Sequence, residues 1–240
     1  MRAPEFWADR SLITKLLEPA SALWRLAAAI ERRSAKPKRA KIPVLCIGNL
    51  VAGGAGKTPT ALAVGAVLGE RGRIVHFLTR GYGGRISGPV NVDLAQHNAR
   101  DVGDEALILA REAPTWVAHD RLAGAEAAAA AGADIVVMDD GFQNHGIVKD
   151  LSVLVVDGAY GFGNGLLIPA GPLREPVEEG LARAHAAVLI GADACLLVPI
   201  LGARLPVLTA RLVPDAGLRK YAGRRVVAFA GIGRPAKFFA

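Results

Sequence analysis

The run Gly53-Gly54-Ala55-Gly56-Lys57-Thr58 constrains this chain more than any other feature. It stands between a short apolar, β-prone stretch at 42–47 and a helix-compatible stretch from 57 to about 71. Strand, glycine loop and helix in that order aim several backbone N–H groups at one point, and a Lys at the helix start adds the cation that polyphosphate requires. The spacing assigns Lys57 to the β- and γ-phosphates and the Thr58 hydroxyl to Mg2+. Gly53, Gly54, Ala55 and Gly56 become the phosphate-binding backbone. The usual G-x-x-x-x-G-K-[ST] pattern has Gly where this chain has Val51, with Gly48 three residues earlier, so the loop must open differently here.

Around this loop, strand-like and helix-like stretches alternate. Strands are expected at 42–47, 73–79, 115–118, 135–138, 151–156, 187–190 and 225–230. Helices are expected at 57–71, 104–111, 119–131 and 177–183. Continuous apolar strands alternating with helices mean a mainly parallel sheet covered on both faces. The fold class is therefore α/β, a P-loop NTPase-like α/β/α sandwich with a second, smaller α/β subdomain. The expected division is a helical segment and basic linker at 1–41, a nucleotide-binding domain at 42–150, and a second subdomain at 151–240, incomplete at its C-terminus. A Gly- and Pro-rich stretch at 158–176 reads as an ordered loop. Residues 236–240, with Phe238 and Phe239, read as the first turn of a helix cut short.

The net charge of +7 favours an anionic partner without choosing among nucleotide, lipid, membrane and nucleic acid. No apolar run reaches the ~20 residues of a membrane span, and the N-terminus lacks the pattern of a signal peptide, so a cytoplasmic location is the expectation. Cys46 and Cys195 lack metal-type spacing, and Cys46 reads as a buried thiol. Residues 11–33 form an amphipathic helical stretch broken at Pro19. The basic residues Arg32, Arg33, Lys36, Lys38, Arg39 and Lys41 follow. Two readings fit that pattern: a helix lying in a membrane interface against anionic lipid, or a helix packed on the domain before a solvated linker.

Two acidic pairs add chemistry. Asp139-Asp140 ends an apolar strand, where a P-loop enzyme holds the metal shell. Asp104-Glu105 opens a helix, either as capping carboxylates or as a general base for an acceptor hydroxyl. Arg80-Gly81-Tyr82-Gly83-Gly84 follows the second expected strand. There Arg80 is either a phosphate contact or a solvated turn residue. Among the histidines, His76 reads as core, His97, His119 and His185 as surface or capping residues, and His145 as the one near the site.

Taken in order, several segments resemble the tetraacyldisaccharide 4′-kinase (lipid A 4′-kinase) family. They are Gly48-Asn49-Leu50 with the loop through Pro59, Thr79-Arg80-Gly81-Tyr82-Gly83-Gly84, Val102-Gly103-Asp104-Glu105 and Asp139-Asp140-Gly141-Phe142-Gln143. Further on come Gly163-Asn164-Gly165, the run from Pro169 to Pro176, and Gly231-Ile232-Gly233-Arg234-Pro235. In that family the non-glycine at position 51 is normal. The resemblance implies transfer of the γ-phosphate of ATP to the 4′-hydroxyl of a lipid A disaccharide 1-phosphate, in a cleft between two α/β/α subdomains. It implies Asp104 as base with Glu105 in support, and Lys57, Thr58, Asp139 and Asp140 holding MgATP. Arg80 and Arg174 become candidates for phosphate contacts. It also implies a peripheral enzyme on the cytoplasmic face of a Gram-negative inner membrane, meeting the bilayer through residues 11–41. No nucleic acid or obligate protein partner is called for.

Two departures stand out. The family commonly has His after the Gln of Asp-Asp-Gly-Phe-Gln, whereas here Asn144 stands there and His145 follows. The family also continues into an Asp-His-His segment whose histidine assists the base, so weak or absent turnover is expected of residues 1–240. The rivals are a partitioning or chaperone-type ATPase, which often has a second Lys where this chain has Ala52, and a nucleotide- and membrane-binding fragment without turnover. A GTPase would need an Asn-Lys-x-Asp motif, which is absent.

Overall fold

The structure, a computed structural model, describes residues 4–213 and 216–227. Its described strands are β1 (Val44–Gly48), β2 (Val75–Thr79), β3 (Val90–Asn91), β4 (Thr115–Val117), β5 (Ile135–Asp139), β6 (Leu151–Asp157), β7 (Ala186–Ile190) and β8 (Val207–Ala210). They form one sheet in the order β3-β4-β2-β5-β1-β6-β7-β8, with every pairing parallel except β3 with β4. All residues of β1, β2 and β5 are buried, as expected of strands covered on both faces. β1 lies between β5 and β6, and the strand order reverses there. Ligands of open α/β sheets bind beyond the carboxyl ends of the strands at such a reversal.

The helices are α1 (Leu12–Ser34), α2 (Lys57–Glu70), α3 (Ala99–Val102), α4 (Asp104–Leu109), α5 (Arg121–Ala130), α6 (Val177–Leu181) and α7 (Leu197–Gly202). The strands and helices expected between 42 and 190 are present, with ends moved by a few residues. The short β3, α3, α7 and β8 were not anticipated. Residues 225–227 carry no strand, and the rest of the strand expected at 225–230, with the helix expected at 236–240, lies outside the described residues.

The break expected at Pro19 does not occur, because α1 runs through it. Proline removes one backbone donor from the helix. Side-chain anchors on both sides of Pro19 hold α1 in place. Upstream, Ser11 and Thr14 form a reciprocal N-terminal cap. Downstream, Ser21 Oγ donates to the Leu167 carbonyl at 2.8 Å and Trp24 Nε1 to that of Arg174 at 3.0 Å. The Gly- and Pro-rich stretch beneath α1 is ordered as expected. Asn164 clips it by donating to the Ala170 carbonyl at 3.0 Å and accepting from the Leu166 N–H at 3.0 Å.

Two glycine contacts register the segments singled out in the sequence. A Cβ on Gly48, at the end of β1, would lie 2.4 Å from the Phe142 Cβ, so the segment after β5 crosses β1 in direct backbone contact. Gly103 has φ +83° and faces the Tyr82 carbonyl, which a Cβ would meet at 2.5 Å. This turn docks α4 on the loop after β2. The docking is reinforced by the Arg85 and Ile86 N–H groups, which donate to the Arg100 and Asp101 carbonyls at 3.0 and 2.9 Å.

Gly48→Ala is expected to lower unfolding stability by about 1–3 kcal/mol, the usual cost of overpacking a close contact. Urea unfolding measures this; an unchanged midpoint would show that the Phe142 segment yields freely.

Candidate active site

The loop after β1 enters α2 through Gly56, and Lys57 and Thr58 are the first residues of that helix. Thr58 Oγ1 donates to Asp139 Oδ2 at 2.8 Å, across to the end of β5. Lys57 Nζ lies 3.4 Å from the Gly53 carbonyl, to which it donates, and 3.7 Å from Asp140 Oδ2. Asp140 has φ +52°, a left-handed conformation unfavourable for a residue other than glycine. That turn separates the two carboxylates. Asp139 faces Thr58, and Asp140 faces Lys57 and Arg174.

Arg174 grips Asp140 with both ends of its guanidinium, at 2.8 and 3.3 Å, and donates to Gln143 Oε1 at 3.1 Å. Gln143 Nε2 in turn donates to the Asn49 carbonyl at 2.9 Å and to Glu175 Oε1 at 3.0 Å. Every residue of this network belongs to a segment singled out by the sequence. Asp104 and Glu105 open α4 on the other side, and the Glu105 N–H donates to Asp104 Oδ1 at 3.1 Å. Asp104 is exposed and Glu105 half-buried. Burial raises the Glu105 pKa; Lys57 opposes that shift, and Asp140 and Asp104 add to it. The two acidic pairs and Lys57 therefore share one electrostatic site.

A family model for tetraacyldisaccharide-1-P 4′-kinase matches residues 13–240. The chain belongs to this family. It is 56% identical to the tetraacyldisaccharide 4′-kinase of Rhodospirillum rubrum and 57% identical to that of Gluconacetobacter diazotrophicus, in each case over 100% of its own length. It spans 74% and 73% of the length of those two relatives. Its fold is similar to a crystal structure of LpxK from Aquifex aeolicus in complex with ATP, with TM-score 0.66 and 28% identity, over 74% of this chain and 59% of that one. Family membership runs against the partitioning-ATPase reading.

Beyond the residues expected of the site, a buried arginine acts on Asp140 electrostatically. Arg121, at the start of α5, is 5% exposed and donates to the Ala118 and His119 carbonyls, and its Nε lacks a partner. Burial lowers its pKa to about 10, with the charge of Arg80 adding to the effect and Asp140 opposing it. A signal was available, since Arg121 follows β4 as Arg80 follows β2, and both strands end at the same edge. His145 does not join the acidic pairs; it lines a separate cavity beneath the end of α1. Cys46 is fully buried as expected, and burial pushes its thiol up to about 12. His76 is core, accepting from Trp116 Nε1 at 3.2 Å.

Asp139 is fully buried, and its Oδ1 has no hydrogen-bond partner. An orphaned carboxylate oxygen beside the Thr58 hydroxyl fits a hard cation that prefers oxygen, such as Mg2+. No cluster of three or more acidic, His or Cys side chains around a metal position occurs among the described residues.

Burial raises the Asp139 pKa from 3.8 to about 7; the Thr58 hydrogen bond opposes the shift, and Glu105 and Asp140 add to it. The folded state therefore holds this proton more tightly than the unfolded state. The resulting stability is complete below about pH 3.8 and is lost as pH rises through about 7. For the nucleotide-free protein, Asp139→Asn should remove this loss. The variant is expected to gain on the order of 3–4 kcal/mol relative to wild type between pH 4 and pH 8. Urea unfolding at both pH values tests this, and parallel pH profiles would show that Asp139 is not protonated in the folded state.

Proposed function

We propose that this chain transfers the γ-phosphate of ATP to the 4′-hydroxyl of a tetraacyldisaccharide 1-phosphate, as its family does, with roles divided as follows. The polyphosphate lies on the backbone of Gly53, Gly54, Ala55 and Gly56. Lys57 moves from Asp140 to the β- and γ-phosphates, and Arg174 supports the phosphoryl group being transferred. Thr58 and Asp139 hold Mg2+, with Asp140 able to join them once phosphate takes over its two cations. A Mg2+ held by Thr58 and Asp139 would supply positive charge to offset that of the phosphates.

Asp104 is the general base, because it stands exposed at the rim, where a hydroxyl acceptor can reach it. It takes the proton of the 4′-hydroxyl as that oxygen bonds to the γ-phosphorus and the bond to the ADP oxygen breaks. Glu105 supports it from within. Arg80, exposed on the same side, meets the phosphate of the acceptor. Residues 42–150 supply the nucleotide loop and both acidic pairs, and the part beginning at 151 supplies Arg174. The observation that carries this reading is the junction of Lys57, Asp140 and Arg174 beside Thr58 and Asp139.

The acceptor is a lipid, and α1 is shaped to meet one. Leu12, Leu16, Leu23, Leu26 and Ile30 recur at helical spacing on one face and are exposed, Leu12 by 74%. The buried Thr14 and Ser21 lie on the opposite face. An apolar outer face beside basic residues from Arg25 to Lys41 suits the interface of an anionic bilayer. No helix among the described residues is long and apolar enough to cross a membrane. Our reading is a peripheral enzyme on the cytoplasmic face of the inner membrane.

Asp104→Ala is expected to cut label transfer from radiolabelled ATP to the lipid disaccharide by about 100- to 10,000-fold while leaving ATP affinity intact. Lys57→Ala should lose both. Transfer that survives Lys57→Ala would refute the assignment of the loop.

The double change Leu16→Ser with Leu23→Ser should weaken binding to vesicles of phosphatidylglycerol by more than about tenfold, since each buried Leu contributes about 1.5–3 kcal/mol. Flotation measures it, and equal flotation of both proteins would place α1 outside the bilayer.

A further inference from the structure

On the α1 side of the sheet, toward the starts of β6 and β7, is a cavity of about 320 Å3 with no part in the chemistry above. Its walls include Arg32 at the end of α1, Phe142, His145 and Lys149 from the β5–β6 connection, and Arg183 and His185 from the α6–β7 link.

Its charge is unbalanced. Arg183 Nη2 contacts Glu175 Oε2 at 2.6 Å, and Arg32 Nη1 contacts Glu179 Oε2 at 2.5 Å. Each guanidinium keeps further donors. Among the described residues, Lys149 forms no salt bridge. Its Nζ donates to the Phe142 carbonyl at 2.7 Å and lies 5.6 Å from the centre of the Phe142 ring, with the Arg183 guanidinium 5.2 Å from the same ring. Two cations thus gather on one buried aromatic ring, and one of them lacks a carboxylate. A half-buried ammonium with no carboxylate in contact, on which Glu175 acts only from a distance, is an arrangement that an anion beside it completes.

The imidazoles fit the same ligand. His185 Nδ1 accepts from the Ser152 N–H at 3.0 Å, which leaves Nε2 to carry the proton and act as a donor. Burial, reinforced by Arg183 and Lys149, lowers the His145 pKa, so at neutral pH it adds a donor without adding charge. The apolar wall of Ala35, Pro37 and Ile147 and the volume leave room for a substituent larger than phosphate itself.

We propose that this cavity is a second anion site, distinct from the nucleotide loop, which binds one phosphate group, either free or on a lipid headgroup, through Lys149, Arg183 and Arg32. It is wired to the catalytic centre. Glu175, the partner of Arg183, also accepts from Gln143, and Gln143 accepts from Arg174. An anion that draws Arg183 from Glu175 therefore acts on the chain of contacts that ends at Asp140. The free-phosphate arm is independent of the kinase reading; the headgroup arm rests on the membrane placement of α1.

The test is calorimetric titration of inorganic phosphate into the Lys57→Ala variant, which disables the nucleotide loop. One binding event is expected to remain, and Lys149→Gln in the same background should weaken it by at least tenfold. Arg32→Gln, at the half-exposed rim, is the second variant should Lys149→Gln fail to fold, and a loss of at least threefold is expected from it. Absence of binding in Lys57→Ala, or binding indifferent to both changes, overturns the proposal. Flotation with phosphatidylglycerol against phosphatidylcholine vesicles then separates the sources. Phosphate that competes with phosphatidylglycerol in a Lys149-dependent way assigns the site to a headgroup. Vesicle binding unchanged by Lys149→Gln, with phosphate binding lost, assigns it to a free phosphate.

Discussion

Asp140 holds together two cations that would otherwise repel. Lys57, whose side chain is 8% exposed, and Arg174 both point to the space beyond β1 and β5, and only this carboxylate contacts both among the described residues. Burial alone would raise its pKa, but Lys57 and Arg174 outweigh burial and keep it below the usual carboxylate range. The left-handed turn at Asp140 brings the carboxylate there, and strained conformations of this kind persist where surrounding contacts over-determine them. On the reading proposed above, a polyphosphate supplying its own negative charge would meet the same two cations already gathered there. Little reorganisation is then needed, which is the condition for strong electrostatic stabilisation of transferring charge.

The neighbouring residue shows how far environment separates two identical side chains. Asp139 shares its strand with no cation in contact, so burial governs it and its proton stays bound near neutrality. A nearby cation would favour its ionised form, and its Oδ1, which has no hydrogen-bond partner, could accept one. On the reading proposed above, a metal ion bound here would release the Asp139 proton, as ligand ionisation accompanies metal binding in general. In the nucleotide-free protein Asp140 meets the same demand through Lys57 and Arg174.

That Lys57, Thr58 and the two aspartates come together was legible because their determinants are local. A strand, four small residues, Lys57-Thr58 and a helix occupy one continuous stretch, and the end of an apolar strand locates Asp139-Asp140. The division of labour between those aspartates was not legible, since it depends on a φ angle and on Arg174, which lies on a distant loop. Arg121 was not legible because its alanine-rich helix reads as filler, while its reach to Arg80 and Asp140 comes from the strand end that precedes it. The two-residue β3 and the four-residue, largely exposed β8 leave too little periodicity to detect. Pro19 misled for a related reason. A local rule predicted a break, and side-chain hydrogen bonds to a segment some 150 residues away preserved the helix.

Those same hydrogen bonds connect the surface of the molecule to its chemistry. α1 turns small polar residues inward and large apolar ones outward, the inverse of a helix folded into a core. Its inner anchors fall on the segment that bears Arg174: Ser21 holds Leu167, Trp24 holds the Arg174 carbonyl, and the Arg174 N–H donates to the Leu50 carbonyl at 2.8 Å, just ahead of the nucleotide loop. A displacement of α1 therefore cannot leave the Arg174 backbone where it is without breaking one of these bonds. Placing the apolar face in a bilayer would fix the depth of the helix, and through it the height of Arg174 and Asp140 above the lipid. For an acceptor whose acyl chains stay in the membrane while its sugar hydroxyl reacts, that height is part of the active-site geometry.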